Sequence, residues 1–490
     1  MHSRKKACKT GNQRLKQPFM SDSQIKTPPK GLMILALVGP AFIWCAEYIG
    51  SGELVLATRN GSILGSGILW AVVIGIFLKY IIGMSGARYT VCTGEGMIDM
   101  LDRMPGPRHW VVWVVLVVQV VAAIIAIAAL ANVAGLFFAS IIGTESRLVQ
   151  ILCGWAVSLS AALLVWSGKF DVLKTVMSFL ILLIVMGTAY VAIRVFPGVN
   201  EFLHSIIPNV PTVPQWALDK GVNANAWKEI LPLIGWGAGG FASQAWYTYW
   251  VLGAGYGAAA GRGDGRPADT AMLKSMDGDT AQKVKGWCHV CYTDATIAVI
   301  IGVVVTGSFL IAGAGVLRPL ELAPDGPGVA VTLSQIFSAN WGRVGAILFL
   351  IAGAAALWST QIGQLAGWPR LLSDCCRICL PSLSQKYSWK TRYRFWLVLF
   401  FFTSMVIIYT LGIKPVFLVK LGSILDGLLL TPLQAICVAA GLFIVMPKVL
   451  SPEAARILKP SWFFLLGLIA AFIVFSYFCI FQIPSALFGK

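Results

Sequence analysis

The sequence predicts an all-α membrane protein of about eleven transmembrane helices, arranged as two inverted sets of five with one helix left over. Three observations predict it. Apolar residues make up 57% and charged residues 12% of the 490 positions, against roughly 45–50% and ~25% in soluble proteins. Runs of twenty or more nearly uncharged residues recur along the whole chain, and each can cross a ~30 Å hydrocarbon layer as a helix. Two of these runs, the first and the sixth, are interrupted by glycine at corresponding places. A mean hydropathy of +0.78 agrees. A soluble enzyme, a disordered chain and a disulfide scaffold are excluded together. So is an outer-membrane barrel, whose strands give only weak alternation over ~10 residues.

The spans lie near 32–57, 64–86, 110–141, 148–167, 172–195, 229–251, 291–315, 344–367, 395–412, 416–446 and 461–485. The tail 1–30 is basic and reads as disordered; it is too long and charged for a cleavable signal. It sets a cytoplasmic N-terminus. Alternating from there, 27 of the 38 Lys and Arg fall inside, which is the positive-inside bias. The net charge of +17 is therefore topogenic. No segment between spans is large enough for a nucleic-acid-binding domain, so the partners expected are the bilayer and a transported ion or small solute. Eleven Cys spread through spans and inner loops argue against a disulfide framework. Cys288 and Cys291 fall on the inner side with Cys375, Cys376 and Cys379. Four thiolates suit Zn²⁺, but separate juxtamembrane thiols are the expectation.

The first span reads Gly39-Pro40-Ala41-Phe42-Ile43-Trp44-Cys45-Ala46-Glu47-Tyr48-Ile49-Gly50-Ser51-Gly52-Glu53-Leu54. Glycine costs a helix interior about 1 kcal/mol relative to alanine, so Gly50, Ser51 and Gly52 predict unwinding. The sixth span repeats the device in Gly235-Trp236-Gly237-Ala238-Gly239-Gly240-Phe241-Ala242-Ser243-Gln244, with Gly237, Gly239 and Gly240 as the break. Paired interruptions of this kind point to an inverted-repeat transporter with its site at the breaks. Residues 31–196 then form the first repeat, 197–227 an outer loop, 228–446 the second repeat and 460–486 the additional helix. Five spans per half is odd, so the second half starts from the opposite side. Unwound backbone is tolerated in lipid only beside protein or a watery cavity. The loop 253–279, with Gly253-Ala254-Gly255-Tyr256-Gly257, lacks the strand–turn–helix setting of a phosphate site and reads as a flexible connector.

Acids inside spans are functional suspects, because a charge at the bilayer centre costs about 2.5–3.5 kcal/mol on insertion scales. Glu47, Glu53, Asp294 and Asp426 stand out. In a regular helix Glu47 and Glu53 would lie ~240° apart, so one site requires the break to turn them together. Bare carboxylates with freed carbonyls make a hard oxygen site suited to Mg²⁺, Ca²⁺ or Mn²⁺. The competing reading is an internal ion pair: Lys420 lies six residues before Asp426, and Lys79 needs a partner in span two. Asp294, near the inner end of span seven, is alternatively interfacial.

At these residues the chain resembles the Nramp family of divalent-metal transporters. Gly39-Pro40 followed by Gly50-Ser51-Gly52-Glu53 stands where the family has Gly-Pro and then Asp-Pro-Gly-Asn. Tyr292-Thr293-Asp294 resembles the opening of the family's seventh span, and Leu357-Trp358-Ser359-Thr360-Gln361-Ile362-Gly363-Gln364-Leu365-Ala366-Gly367 its Ser-Thr-x-x-Gly-x-x-Ala-Gly stretch. Asp426 stands where a metal-contacting glutamine would be. The resemblance implies a LeuT-type five-plus-five fold, agreeing with the count above. It also marks departures. Gly50 replaces the metal-binding Asp, Glu53 the Asn, Phe241 the methionine and Ser243 the histidine. Span three has no acid between Trp113 and Phe138, only Gln119 and Asn132 as main polar groups. Losing the thioether removes preference for softer metals, and losing the acids removes the family's proton path. The pattern is similar to Nramp-related magnesium transporters.

The leading expectation is a secondary transporter moving Mg²⁺ or Mn²⁺ by alternating access, without the usual proton coupling. Glu53, the carbonyls of Gly50 and Ala238, Asp426 and Gln244 would hold the ion beside Phe241, with Glu47 as a ligand or outer acid. Asp294, Ser359, Gln361 and Lys420 are candidates for gating or coupling. The alternative is a carrier of an amino acid or amine, walled by Trp236, Phe241 and Trp246, with Lys420 as an amine in place of a cation. An enzyme is not expected: there is no His-Glu-x-x-His and no Gly-x-Ser-x-Gly. Nor is a resident cofactor.

Overall fold

The computed structural model describes residues 25–167, 186, 189–190, 192–263 and 265–488. Among these, every regular element is a helix. Eight of the described helices are long and apolar enough to cross a membrane: Ser66–Thr93, Trp110–Ile142, Arg147–Val165, Gly278–Leu317, Trp341–Cys379, Trp389–Leu411, Pro415–Val449 and Trp462–Ala486. They coincide with spans two to four and seven to eleven. The bent pair Gly31–Leu37 and Pro40–Tyr48, angled by 51°, opens span one. Several helices outrun their apolar stretches, because polar turns at a membrane edge keep the helical hydrogen bonds without adding hydropathy. Most of the predicted fifth span lies outside the described residues, as does most of the tail 1–30. At residue 26 the chain is already docked, Trp287 Nε1 donating to the Lys26 carbonyl (2.8 Å).

The first span is broken, and the break is shorter than the glycine triplet predicts. Pro40 starts its helix at the first position, where a missing N–H costs nothing. That helix ends at Tyr48, and Ile49 turns out of helical geometry with ψ 89°. Ser51 is already helical again, so Ser51 and Gly52 belong to the restart. The chain resumes as a π-helical turn over Gly52–Ala57 and continues as Thr58–Leu64. Gly52 serves another purpose: a Cβ there would fall inside the Trp236 indole, so glycine lets the two broken spans touch.

The sixth span runs as Trp227–Trp236, stops, and restarts as Phe241–Ala254. Between them Ala238 and Gly239 hold positive φ angles of 56° and 73°. Glycine adopts this freely, whereas a non-glycine residue pays strain and persists there only when its surroundings fix it. Trp236 Nε1 donates to the Tyr48 carbonyl (3.0 Å), tying the end of one half-helix to the end of the other. Spans two, seven, eight and ten pack around this junction.

Two further differences from the sequence reading have plain causes. The loop after span six is anchored, not free: Tyr256 stacks on Trp287 at 5.3 Å and donates to the Leu37 carbonyl (2.7 Å). Its one large aromatic outweighs its glycines. The short apolar helix Val329–Ala339 has no counterpart among the predicted spans, being about half the length that hydropathy detects.

Candidate functional site

Three carboxylates are buried around the two breaks, and each is held by neutral donors. Glu47 Oε2 accepts from Ser243 Oγ (2.9 Å), whose oxygen also accepts from Trp44 Nε1 (2.9 Å). Glu53 Oε2 accepts from the Gly50 N–H (2.9 Å). This is the half of a capping box in which a third-position Glu reaches back to the start of its helix. Its Oε1 has no hydrogen-bond partner. Asp426 Oδ1 accepts from Gln119 Nε2 (3.0 Å) and from the Ala242 N–H (3.1 Å). The second of these satisfies an otherwise orphaned donor in the first turn after the sixth-span break. A Cβ at Gly240 would fall inside the Asp426 carboxylate, so glycine permits that approach.

The carboxylates do not converge on a point. Among the described residues, no three Asp, Glu, His or Cys side chains are grouped to hold a metal ion. The carbonyls singled out for a cation have partners of their own. Gly50 O accepts from Leu54 N (2.8 Å), and Ala238 O accepts from Gln244 Nε2 (2.9 Å). Gln244 Oε1 is buried without a hydrogen bond. Phe241 is fully buried, and its carbonyl accepts from Gln434 Nε2 (3.0 Å).

The remaining candidates separate clearly. Asp294 is no interfacial bystander: it is fully buried, and its Oδ1 accepts from the Gly39 N–H at the head of span one (3.1 Å). Its Oδ2 accepts from Tyr247 (2.7 Å), whose ring stacks on Trp44 at 4.3 Å. Ser359 donates toward the Ala46 carbonyl (3.1 Å), and its neighbour Thr360 toward Ile49 O (3.0 Å), so span eight grips the first break. Gln361 points elsewhere, to Ser158 on span four (3.1 Å). Lys420 does not pair with Asp426. It pairs with Glu229 (2.6 Å), because six residues on span ten set it ~240° round the helix from Asp426, against the first half-helix of span six. The thiols do not assemble either: Cys92 and Cys288 lie 3.7 Å apart, and the described cysteines are free.

True ion pairs lie on the two faces instead. On the face away from the N-terminal tail, Arg59 donates to both Glu229 oxygens (3.0 and 3.2 Å) and to the Pro324 carbonyl (2.6 Å). On the tail face, Arg103 grips Glu95 with two bonds (2.7 and 2.8 Å), and Arg377 bonds Asp99 (2.6 Å). Burial pushes the Asp99 carboxyl up to about 7, against the pull of Arg377. Glu95 holds the Arg103 guanidinium well above its usual range. Sequence reasoning missed both networks. Their signal was the charges at span ends, which look identical to solvated lysines and arginines until partners are known. It singled out Gln119 only as a polar group of span three and missed that it links Asp426 to Trp368 Nε1 (2.8 Å).

Residues 41–218 match the family model described as Nramp, natural resistance-associated macrophage protein-like. A divalent metal cation transporter of Yersinia enterocolitica is 30% identical over 95 residues, 19% of this chain and 23% of that protein. One of Pectobacterium carotovorum is 32% identical over 77 residues, 16% of this chain and 19% of that protein. The chain thus aligns with about a fifth of the length of these relatives. In structure it is similar to the Eremococcus coleocola manganese transporter, with a TM-score of 0.70 at 15% identity, covering 96% of this chain and 92% of that one. MhsT, solved in complex with L-phenylalanine, gives a TM-score of 0.56 at 13% identity, covering 94% of this chain and 100% of that one. Both likenesses establish the LeuT-type fold.

Proposed function

Because the chain is a relative of the Nramp family with a LeuT-type fold, we propose that it carries a hard divalent cation, Mn²⁺ or Mg²⁺, across the membrane by alternating access. The observation that carries this reading is the pairing of the central acids. Glu47, Glu53 and Asp426 are buried at the breaks, and each is bonded to hydroxyl, amide or backbone N–H groups and not to a lysine or arginine. Intramembrane carboxylates without a fixed counter-ion await a mobile one. On loading, the cation takes the place of those donors. Glu53 and Asp426 supply charge, Gln244 and the carbonyls of Gly50 and Ala238 supply neutral oxygen, and Glu47 stands behind as an outer acid.

The relatives named as divalent metal and manganese transporters support the class of passenger. The donor set supports a hard ion: every group assigned to the cation is an oxygen, and Phe241 brings an apolar ring to the sixth-span break. Span three brings Gln119 and Asn132, and Asn132 is engaged with the Gly412 carbonyl (3.0 Å). Transport therefore proceeds without the family's acid path for protons. Residues 31–196 and 228–446 act as the two inverted halves, with the N-terminus cytoplasmic and the face networks opening in turn.

The test is uptake of Mn²⁺ and Mg²⁺ into liposomes holding the purified protein. Glu53→Gln and Asp426→Asn should each abolish it. Uptake that survives in both variants ends the model. Thermal shifts that respond to amino acids or amines and not to divalent ions would move the passenger to the organic class, since a ligand stabilises the folded state by mass action.

A further inference from the structure

The buried ammonium of Lys79, on span two, points to a second cation site at the sixth-span break. Lys79 is completely buried, and among the described residues no carboxylate lies within ion-pair distance of it. Its Nζ donates to the carbonyls of Ile234 (3.0 Å), Gly235 and Gly239 (2.9 Å). An ammonium has three donors, and here three carbonyls receive them. Two of those oxygens end the half-helix Trp227–Trp236, where the last carbonyls lose their helical partners and the helix dipole favours a cation. The third belongs to the left-handed linker. The Phe475 ring lies 5.7 Å from the ammonium.

We propose that Lys79 is a tethered cation filling a neutral carbonyl cage made by Ile234, Gly235 and Gly239, a cage that takes a potassium- or ammonium-class ion when the lysine is removed. The physical grounds are the ligands. Neutral carbonyl oxygens replace the hydration shell of a monovalent ion, whereas Mg²⁺-class ions demand carboxylates and shorter bonds. Nearly 3 Å from nitrogen to oxygen is the spacing of an ammonium or a potassium ion. With the lysine in place the break needs no second, dissociable cation to hold it, whatever the passenger is. Lys79 is thus a positioning residue for the broken helix.

The test reads stability and not transport, so it stands apart from the identity of the passenger. Lys79→Ala empties the cage, and Lys79→Met fills it with an apolar chain of similar length. Melting midpoints of the purified full-length proteins are compared in potassium, sodium, methylammonium and choline chloride at equal ionic strength. Lys79→Ala should lose several degrees in choline and regain them in potassium or methylammonium. Lys79→Met should be lowered in all four salts alike, and the unaltered protein should not discriminate among them. Rescue of Lys79→Met to the same extent, no difference among salts for Lys79→Ala, or failure of Lys79→Ala to fold in any of them overturns the assignment. If Mn²⁺ uptake by the unaltered protein fails while the potassium rescue holds, the passenger is wrong and the cage stands.

Discussion

Glu229→Gln should unlatch the face away from the N-terminal tail. Glu229 joins three elements: Arg59 after the first break, Lys420 on span ten, and its own half-helix of span six. Arg59 and Glu229 side chains are 4% and 3% exposed, and Lys420 is 20% exposed. Removing one partner from a buried pair costs about 3–5 kcal/mol, because the other charge is left uncompensated. Here two cations are left facing each other. Against that, Lys420 can reach water, and Arg59 keeps Asp325 at 3.3 Å, a carboxylate that is 62% exposed. The lower end, ~3 kcal/mol, is therefore expected. Spent on local opening, that is about 100-fold in the opening equilibrium. Amide hydrogen exchange of residues 58–64 and 227–236 should accelerate by that factor, while 97–102 on the tail face stay unchanged. Removing Lys420 as well should recover part of the loss, as residues in one charge network are not additive. Equal acceleration on both faces, or none at residues 58–64, would refute the latch.

Three other outcomes are expected. Asp99 has its pKa lifted from 3.8 to about 7 by burial, so its neutral form favours the fold; that contribution is full below pH 3.8 and lost as pH rises through 7. Asp99→Asn should flatten the melting temperature across that window, and an unchanged pH profile would show that Asp99 is not the titrating group. Gly240→Ala places a methyl group in the Asp426 carboxylate and should reduce cation uptake to background while the protein still reaches the membrane; normal uptake would mean that the two elements never pack this closely during transport. Gln119→Leu leaves Trp368 Nε1 and one Asp426 oxygen each short of a bond, a cost of about 1–3 kcal/mol visible as a lower melting midpoint.

The scaffold was legible because hydropathy and glycine placement act locally. Spans three, ten and eleven fall within a few residues of Trp110–Ile142, Pro415–Val449 and Trp462–Ala486, and both predicted breaks are present. The finer pattern was not legible, since it depends on which face of one helix meets which face of another. Glu53 shows this best. Read along the chain it is a bare acid at mid-membrane; in the fold one oxygen caps the restart of its own helix at Gly50. Lys79 and Lys420 show the reverse error. Sequence spacing offered Asp426 as a competing partner for Lys420, whereas three-dimensional packing gives Lys420 to Glu229 and brings Lys79 to the break.

The division between fixed and exchangeable partners follows from what a carrier must do. A buried ion pair costs about 3–5 kcal/mol to break from one side, whereas a single hydrogen bond to a charged group contributes about 1.5–3 kcal/mol. A passenger can displace the second kind of partner and be released again; it can displace the first only by binding too tightly to leave. On the proposed reading the molecule sorts its charges accordingly. Arg59 and Arg103 lock carboxylates at the two faces, where a latch must hold between visits. Ser243, Gln119 and the N–H groups of Gly50 and Ala242 hold the central acids, where the partner must give way each cycle. A charge swap makes the point testable: Ser243→Lys should pin Glu47 with a fixed cation and stop uptake while the protein still reaches the membrane, and uptake that persists would mean the central acids never exchange their partners.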